Sequence, residues 1–255
     1  MTFTDTHCHL ADPKLADTLP TVLAEAQAVG VARFIVPATS PNDWQAVAQL
    51  ERPSENIHIA LGIHPWFSDG LTEAAFQELE SELIQHPQAW VGEIGLDFYG
   101  KEQTQAQRDT QTEVFIRQLI LAQNLNRRVI IHNLKATAAI AAAVKTAGFT
   151  QGGIVHAFSG SVEEARILVK LGFKIGIGSL LLNPNAKKVR VALQALNNTD
   201  FVLETDSPFM LGHETNTPAN IRRIAEIAAE LRGIPLTQLS EITEQNVDFL
   251  LYTSP

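Results

Sequence analysis

Cysteine is almost missing: Cys8 stands alone in 255 residues. A single thiol excludes a disulfide framework and a cysteine-rich zinc module. Basic residues are also scarce, with 19 Lys and Arg against 28 Asp and Glu, a net charge of −9. A basic coat for gripping duplex nucleic acid is therefore absent, and an acidic substrate needs a local positive feature such as metal ions. No apolar run reaches the length of a membrane span. The opening MTFTDTHCHL has no basic stretch leading into an apolar one, so no secretory signal is visible and a cytoplasmic location is expected. Charged residues are only 18% and hydrophobic ones 45%, which excludes a disordered or fibrous chain.

What is present is an alternation of short β-rich runs and longer helical patterns. Strands are predicted at Phe3–His9, Arg33–Thr39, Ile57–His64, Ala89–Asp97, Arg128–Asn133, Gly152–Ser159, Phe173–Ser179 and Phe201–Asp206. Helices are predicted near Leu15–Val29, Asp43–Glu51, Thr72–His86, Thr104–Asn124, Ala136–Ala147, Val162–Leu171, Asn185–Leu196 and Pro218–Arg232, with a ninth near Leu236–Leu251. Ser161 and Glu164 have the spacing of a capping box, and Gly148, Gly172 and Gly233 stand where helices should stop. Eight strand–helix units predict an α/β fold, a closed (β/α)8 TIM barrel of one domain over residues 1–255, with a doubly wound open sheet as the alternative.

The polar residues favour the barrel. Five of the eight histidines, His7, His9, His64, His132 and His156, fall at or just past the C-terminal end of a predicted strand. Glu93 in VGEIGLD and Asp206 in FVLETDSP lie near the same ends of two others. In a barrel those ends converge on one face, where active sites sit. His7 and His9, one residue apart in a strand, point the same way, while Cys8 reads as a small core residue. Glu93 inside an apolar run is costly to bury unless paired or bound to a metal, and Gly92 and Gly95 beside it leave room for an ion. Glu204 shares the parity of Asp206 and lies deeper, as a supporting carboxylate. Imidazole with carboxylate suits zinc, manganese or iron rather than calcium. Six such ligands exceed what one catalytic ion needs and match two ions sharing a bridging carboxylate. Glu93 is the natural bridge: the first ion takes His7, His9, Glu93 and Asp206, and the second takes Glu93, His132 and His156.

The segments TDTHCHL, LGIHP, VGEIGLD, RVIIH, GGIVHAFSGS and LETDSP resemble the TatD family of metal-dependent hydrolases and deoxyribonucleases, close to its YjjV-like branch. The resemblance runs from Phe3 to about Leu250. It implies an amidohydrolase-like barrel, a hydrolase of ester bonds, and two divalent cations, zinc, magnesium or manganese. It implies the same ligand assignment for His7, His9, Glu93, His132, His156 and Asp206. The chain departs from the family in three places. His132-Asn133-Leu134 stands where members often have His-Ser-Arg, and Arg128 replaces a proline. Residues 212–218 read GHETNTP where many members carry a basic segment, and only Asn216 and Pro218 keep its residues.

The expected chemistry is attack by a hydroxide, formed at neutral pH between two cations, on a phosphorus or carbonyl centre. Asp206 passes the proton, Glu93 bridges the cations, and His64 contacts a phosphate or protonates the leaving group. The turn Ser159-Gly160-Ser161 either offers N–H groups to a phosphate or simply caps a helix. Trp44, Trp66 and Trp90 are too scattered for a base-stacking platform, though Trp66 and Phe67 could line the mouth. Expected partners are nucleic acid ends, cut as a 3′ exonuclease cuts single strands, or a small phosphoester. An amide or lactone substrate is the alternative, and the assembly is a monomer.

Overall fold

Apolar runs buried on both faces make the strands. The computed structural model describes residues 1–51, 56–100 and 102–253. Its strands are β1 (Phe3–Asp5), β2 (Val31–Pro37), β3 (Ile57–Leu61), β4 (Trp90–Asp97), β5 (Val129–Leu134), β6 (Gly153–Val155), β7 (Phe173–Ile177) and β8 (Phe201–Leu203). The helices are α1 (Leu19–Ala28), α2 (Trp44–Glu51), α3 (Glu73–Gln85), α4 (Gln105–Asn124), α5 (Thr137–Thr146), α6 (Val162–Lys170), α7 (Lys187–Ala195), α8 (Ile221–Arg232) and α9 (Leu236–Tyr252). All eight strands run parallel in the order of the chain. The barrel closes beyond the last regular pairs: Thr6 N–H donates to Leu203 O at 3.0 Å, Asp206 N–H to His7 O at 2.8 Å and His9 N–H to Ser207 O at 2.7 Å. These bonds exclude the open sheet.

Alternate strand residues divide the core in two. Ile35, Ala60, Trp90, Ile130, Ile154 and Val202 form an inner cluster with Val247 and Leu250 of α9. Their neighbours, Val36, Ile59, Val129, Ile131 and Val155 among them, pack with the surrounding helices. Stepping two residues along the inward rows leads from Ile130 to His132, from Ile154 to His156 and from Val202 to Glu204. An apolar floor thus carries a polar layer at the C-terminal rim.

The expected elements form, with shorter strands. β1 ends at Asp5 rather than His9, and β8 at Leu203 rather than Asp206. The cause is local: the Asp5 carboxylate accepts the N–H groups of Thr205 at 2.9 Å and of His7 at 3.3 Å, so side chains replace the ladder there. α1 begins at Leu19 rather than Leu15 because Pro20 belongs in a first turn, where its missing N–H costs nothing. The capping box of Ser161 and Glu164 is present, and Gly233 ends α8 in the left-handed conformation with φ 64°.

α9 plugs the N-terminal end of the barrel. Arg33 holds it through Glu244 at 2.6 Å and Asp248 at 2.7 Å. Asn246 donates to Asn198 O at 2.6 Å and to Phe201 O at 2.8 Å. Arg128 donates to Leu250 O at 2.7 Å, Thr253 O at 3.1 Å and Gln151 O at 2.9 Å. Carbonyls at a helix C-terminus lack intrahelical donors, and Arg128 supplies them, which gives its departure from proline a physical reason. Arg128→Met is expected to lower the free energy of unfolding by about 2–3 kcal/mol, read as a lower urea midpoint at unchanged slope. A wild-type midpoint would show that this clamp adds nothing.

Candidate metal centre

All seven residues singled out from the sequence meet at the rim. His7 Nε2 stands 3.1 Å from His9 Nε2, 3.3 Å from Glu93 Oε2 and 3.6 Å from Asp206 Oδ1. His9 Nε2 lies 3.4 Å from Asp206 Oδ1 and 3.7 Å from Glu93 Oε2. On the other side of the same carboxylate, Glu93 Oε1 faces His156 Nε2 at 2.6 Å, His132 Nδ1 at 2.9 Å and His64 Nε2 at 3.3 Å. His132 Nδ1 and His156 Nε2 are 3.2 Å apart. Glu93 therefore offers one oxygen to each of two donor nests. Ligands held about 2.0–2.1 Å from one cation stand roughly 3–3.5 Å from each other, and these separations fit that polyhedron. Nitrogen with carboxylate oxygen is a donor set for zinc, manganese or iron.

Local chain geometry aims these groups. The pairing of β4 with β5 shifts register between Val91 and Ile94, and such an irregularity re-aims a side chain, here Glu93. Gly95 does not make room for an ion, as its place beside Glu93 suggested. Its φ is 137°, and a Cβ there would meet the carbonyl oxygen of His132 at 2.1 Å. The absent side chain lets β4 and β5 approach beneath the site. Glu204 is fully buried, accepts the N–H of Ala157 and fills the space over Gly176. It thereby fixes the segment that follows His156.

His64 differs from the other imidazoles. It caps the short 3-10 turn Pro65–Phe67, and its Nδ1 accepts the backbone N–H of Trp66 at 3.1 Å. A neutral ring that accepts at Nδ1 carries its proton on Nε2. His64 therefore presents a donor, not a lone pair, to Glu93 and to anything bound beside it. Gln118 of α4 braces this corner, with Oε1 accepting Ile63 N–H at 2.8 Å and Nε2 donating to Ile63 O at 3.0 Å.

The electrostatics follow from burial against opposite charge. Burial raises the Glu93 carboxyl, but His156, His64 and His7 outweigh it and hold Glu93 well below the usual range. Burial, with His156 adding to it and Glu93 opposing, drives His7 down to about 4. Burial raises Asp206, but His9, His7 and His156 together outweigh it and leave the carboxyl below its ordinary value. Glu204, buried and beside Asp206, is pushed well up.

Two supporting residues escaped the sequence reading. Asp97 lies 3.6 Å from His132 Nε2 and accepts the indole N–H of Trp66 at 2.7 Å on the same oxygen. Its other oxygen accepts the N–H of Tyr99 at 3.0 Å. Burial opposes the charge on His132, yet Asp97 and Glu93 push its pKa up to about 9. Asn216 is fully buried and donates to Ser179 Oγ at 2.9 Å and Thr205 O at 2.8 Å. Asn216 pins the loop beside Asp206, and its survival in an otherwise altered segment was the available signal. The Ser159–Ser161 turn resolves as plain capping, because Ser161 N–H is taken by Glu164 at 2.8 Å. His86 pairs with Glu51 at 3.1 Å, away from this cluster.

A parallel eight-stranded barrel with imidazoles and carboxylates gathered at its rim is the form of a metal-dependent hydrolase. The family described as TatD related DNase matches residues 4–251, and the chain belongs to it. It is 31% identical to the uncharacterized metal-dependent hydrolase YjjV of Escherichia coli strain K12, over 99% of this chain and 98% of that protein. It is 31% identical to the human deoxyribonuclease TATDN3, over 95% and 92% of the two chains. The crystal structure of E. coli YjjV superposes with a TM-score of 0.92, covering 98% of each chain. An uncharacterized amidohydrolase from Saccharomyces cerevisiae shares the fold, with a TM-score of 0.84 at 16% identity over 98% and 99% of the chains. The protein is thus a metal-dependent, ester-hydrolysing enzyme. Among the described residues no helix is long and apolar enough to cross a membrane.

If each nest takes one cation, Glu93→Gln should empty both, while His9→Ala should spare the second. Asp97→Ala should weaken metal affinity about 10–100-fold by freeing the His132 ring. Metal content by inductively coupled plasma mass spectrometry reads all three. Equal loss of both ions in His9→Ala would contradict the division.

Proposed function

We infer that the protein hydrolyses phosphodiester bonds at the ends of nucleic acid strands, as a 3′ exonuclease on single strands, using two divalent cations. The observation that carries this is the division of Glu93, one oxygen toward His7 and His9 and the other toward His132 and His156. The name of the human relative supports the substrate class. In this reading His7, His9, Glu93 and Asp206 hold the first cation, and Glu93, His132 and His156 the second. When bound, the pair supplies charge that makes water acidic near neutral pH and offsets the charge growing on phosphoryl oxygens.

The chain's own groups do the rest. Asp206 is ionised at neutral pH and accepts the proton of the attacking water through its carboxylate, then returns it to the leaving oxygen. His64 presents its Nε2 proton to a phosphate oxygen or to the departing one. Apolar packing beneath the rim keeps bulk water from the floor of the site. We assign this activity to a single domain spanning residues 1–255, a monomer in the cytoplasm.

A second reading has its own support. The net charge is −9, Leu134 stands in place of an arginine, and residues 212–218 are not basic. These features favour a small phosphoester, amide or lactone on the same centre.

Metal-loaded protein is expected to shorten labelled single-stranded DNA, to stop on chelation and to resume with magnesium or manganese. Turnover of p-nitrophenyl phosphodiesters or simple amides with DNA left intact would replace the nuclease reading with the second one. His64→Ala should keep its metals and lose about 10²–10⁴-fold in kcat, measured at saturating substrate. Unchanged steady-state rates would remove His64 from the reaction.

A further inference from the structure

Large aromatic side chains collect at the same rim as the donor nests. Trp66 is 71% exposed and Tyr99 68%, against 2% for Trp44 and 7% for Trp90. Phe67 and Phe209 are also exposed. Trp66 and Phe67 follow β3, Tyr99 follows β4 and Phe209 follows β8, so each belongs to a loop at the C-terminal ends of the strands. Water-exposed rings of this size are unfavourable unless something covers them.

Trp66 is exposed yet fixed. Its indole N–H is bonded to Asp97 at 2.7 Å. Its ring meets His64 at 4.9 Å and His132 at 6.4 Å between centroids, tilted by 77° and 62°. No ring stacks parallel to it among the described residues. Asp97 also holds the backbone of Tyr99 at 3.0 Å, so one carboxylate fixes the Trp66 indole beside the imidazoles and the start of the Tyr99 loop.

We propose that Trp66 is a substrate-binding residue that stacks on the base of the terminal nucleotide. This rests on the nucleic-acid reading above and extends it to how the strand is held. Stacking needs no positive charge and tolerates any base, since every base has a π-face. It therefore suits a mouth where Leu134 replaces an arginine and residues 212–218 carry no Lys or Arg. Trp66 adjoins His64, so a base on the indole sets its own phosphate toward the imidazoles. Asp97 restricts the indole before binding, which lowers the ordering cost of the stack.

Two single-stranded oligonucleotides separate the outcomes: one with a normal 3′-terminal base, and one abasic at that position with the same phosphates. The wild-type holoenzyme is expected to prefer the first by about 5- to 100-fold in kcat/KM. In Trp66→Leu this preference should fall toward one, mainly through KM, and Trp66→Phe should restore part of it. Intrinsic fluorescence gives a readout independent of cleavage, because Trp66 is the exposed tryptophan of three. The base-bearing strand should quench the emission and shift its maximum, and the abasic strand should not.

Cleavage with no base preference and no quenching would overturn the stack and leave the nuclease reading standing. Quenching without cleavage would keep the stack and defeat the nuclease reading. A preference that survives in Trp66→Leu would assign the discrimination elsewhere and overturn the proposal.

Discussion

The site depends on how one carboxylate is shared. Glu93 lies almost fully buried with five imidazoles packed around it, at 2.6 Å (His156) to 3.7 Å (His9). Nitrogen donors placed edge to edge, as His7 and His9 are at 3.1 Å, cannot both point lone pairs inward without a cation between them. Burial pushes His7 toward neutrality, while the neighbouring carboxylates raise His9 and His132. The donors are arranged as a metal centre needs them, and the rest of the rim holds them in register. Asp5 and Thr205 replace the strand ladder, Glu204 anchors the segment after His156, and Asn216 pins the loop beside Asp206.

Much of this was legible in the residues. Each donor ends or interrupts an apolar run, and the inward row of a strand carries its parity two residues further, from Ile130 to His132 and from Ile154 to His156. Asp206 continues the parity of Val202 and Glu204, whereas Glu93 has the parity of the outward Val91 and reaches the site through the irregularity in β4. Asp97 was not legible, because a carboxylate at the end of GLD looks like any solvated residue after a strand. Its role appears only when the loop after β3 folds Trp66 over it. Gly95 was misread for a related reason: a glycine beside a ligand suggests space for the ion, whereas its missing side chain serves the approach of two backbones. Trp44, Trp66 and Trp90 looked scattered because sequence distance hides burial. Only Trp66 faces water, and its aromatic companions at the rim are Phe67, Tyr99 and Phe209, contributed by three different loops.

His64 shows how a backbone bond selects chemistry. Placed at 3.3 Å from Glu93, it is as near as several of the other imidazoles. The Trp66 N–H it accepts at Nδ1 decides the tautomer, and with it the difference between a proton donor and a metal ligand. The same short turn orients Trp66, so acid function and the aromatic rim share one piece of backbone.

The plug formed by α9 has a consequence for how the chain is made. The inner cluster takes Val247 and Leu250 from the final helix, and the barrel seam joins residues 6–9 to residues 203–207. A chain emerging from the ribosome cannot seal either the seam or the floor until nearly all of it has been synthesised. Through most of translation the inward apolar row of β2 to β6 lacks its cover, a window in which chaperones have something to bind.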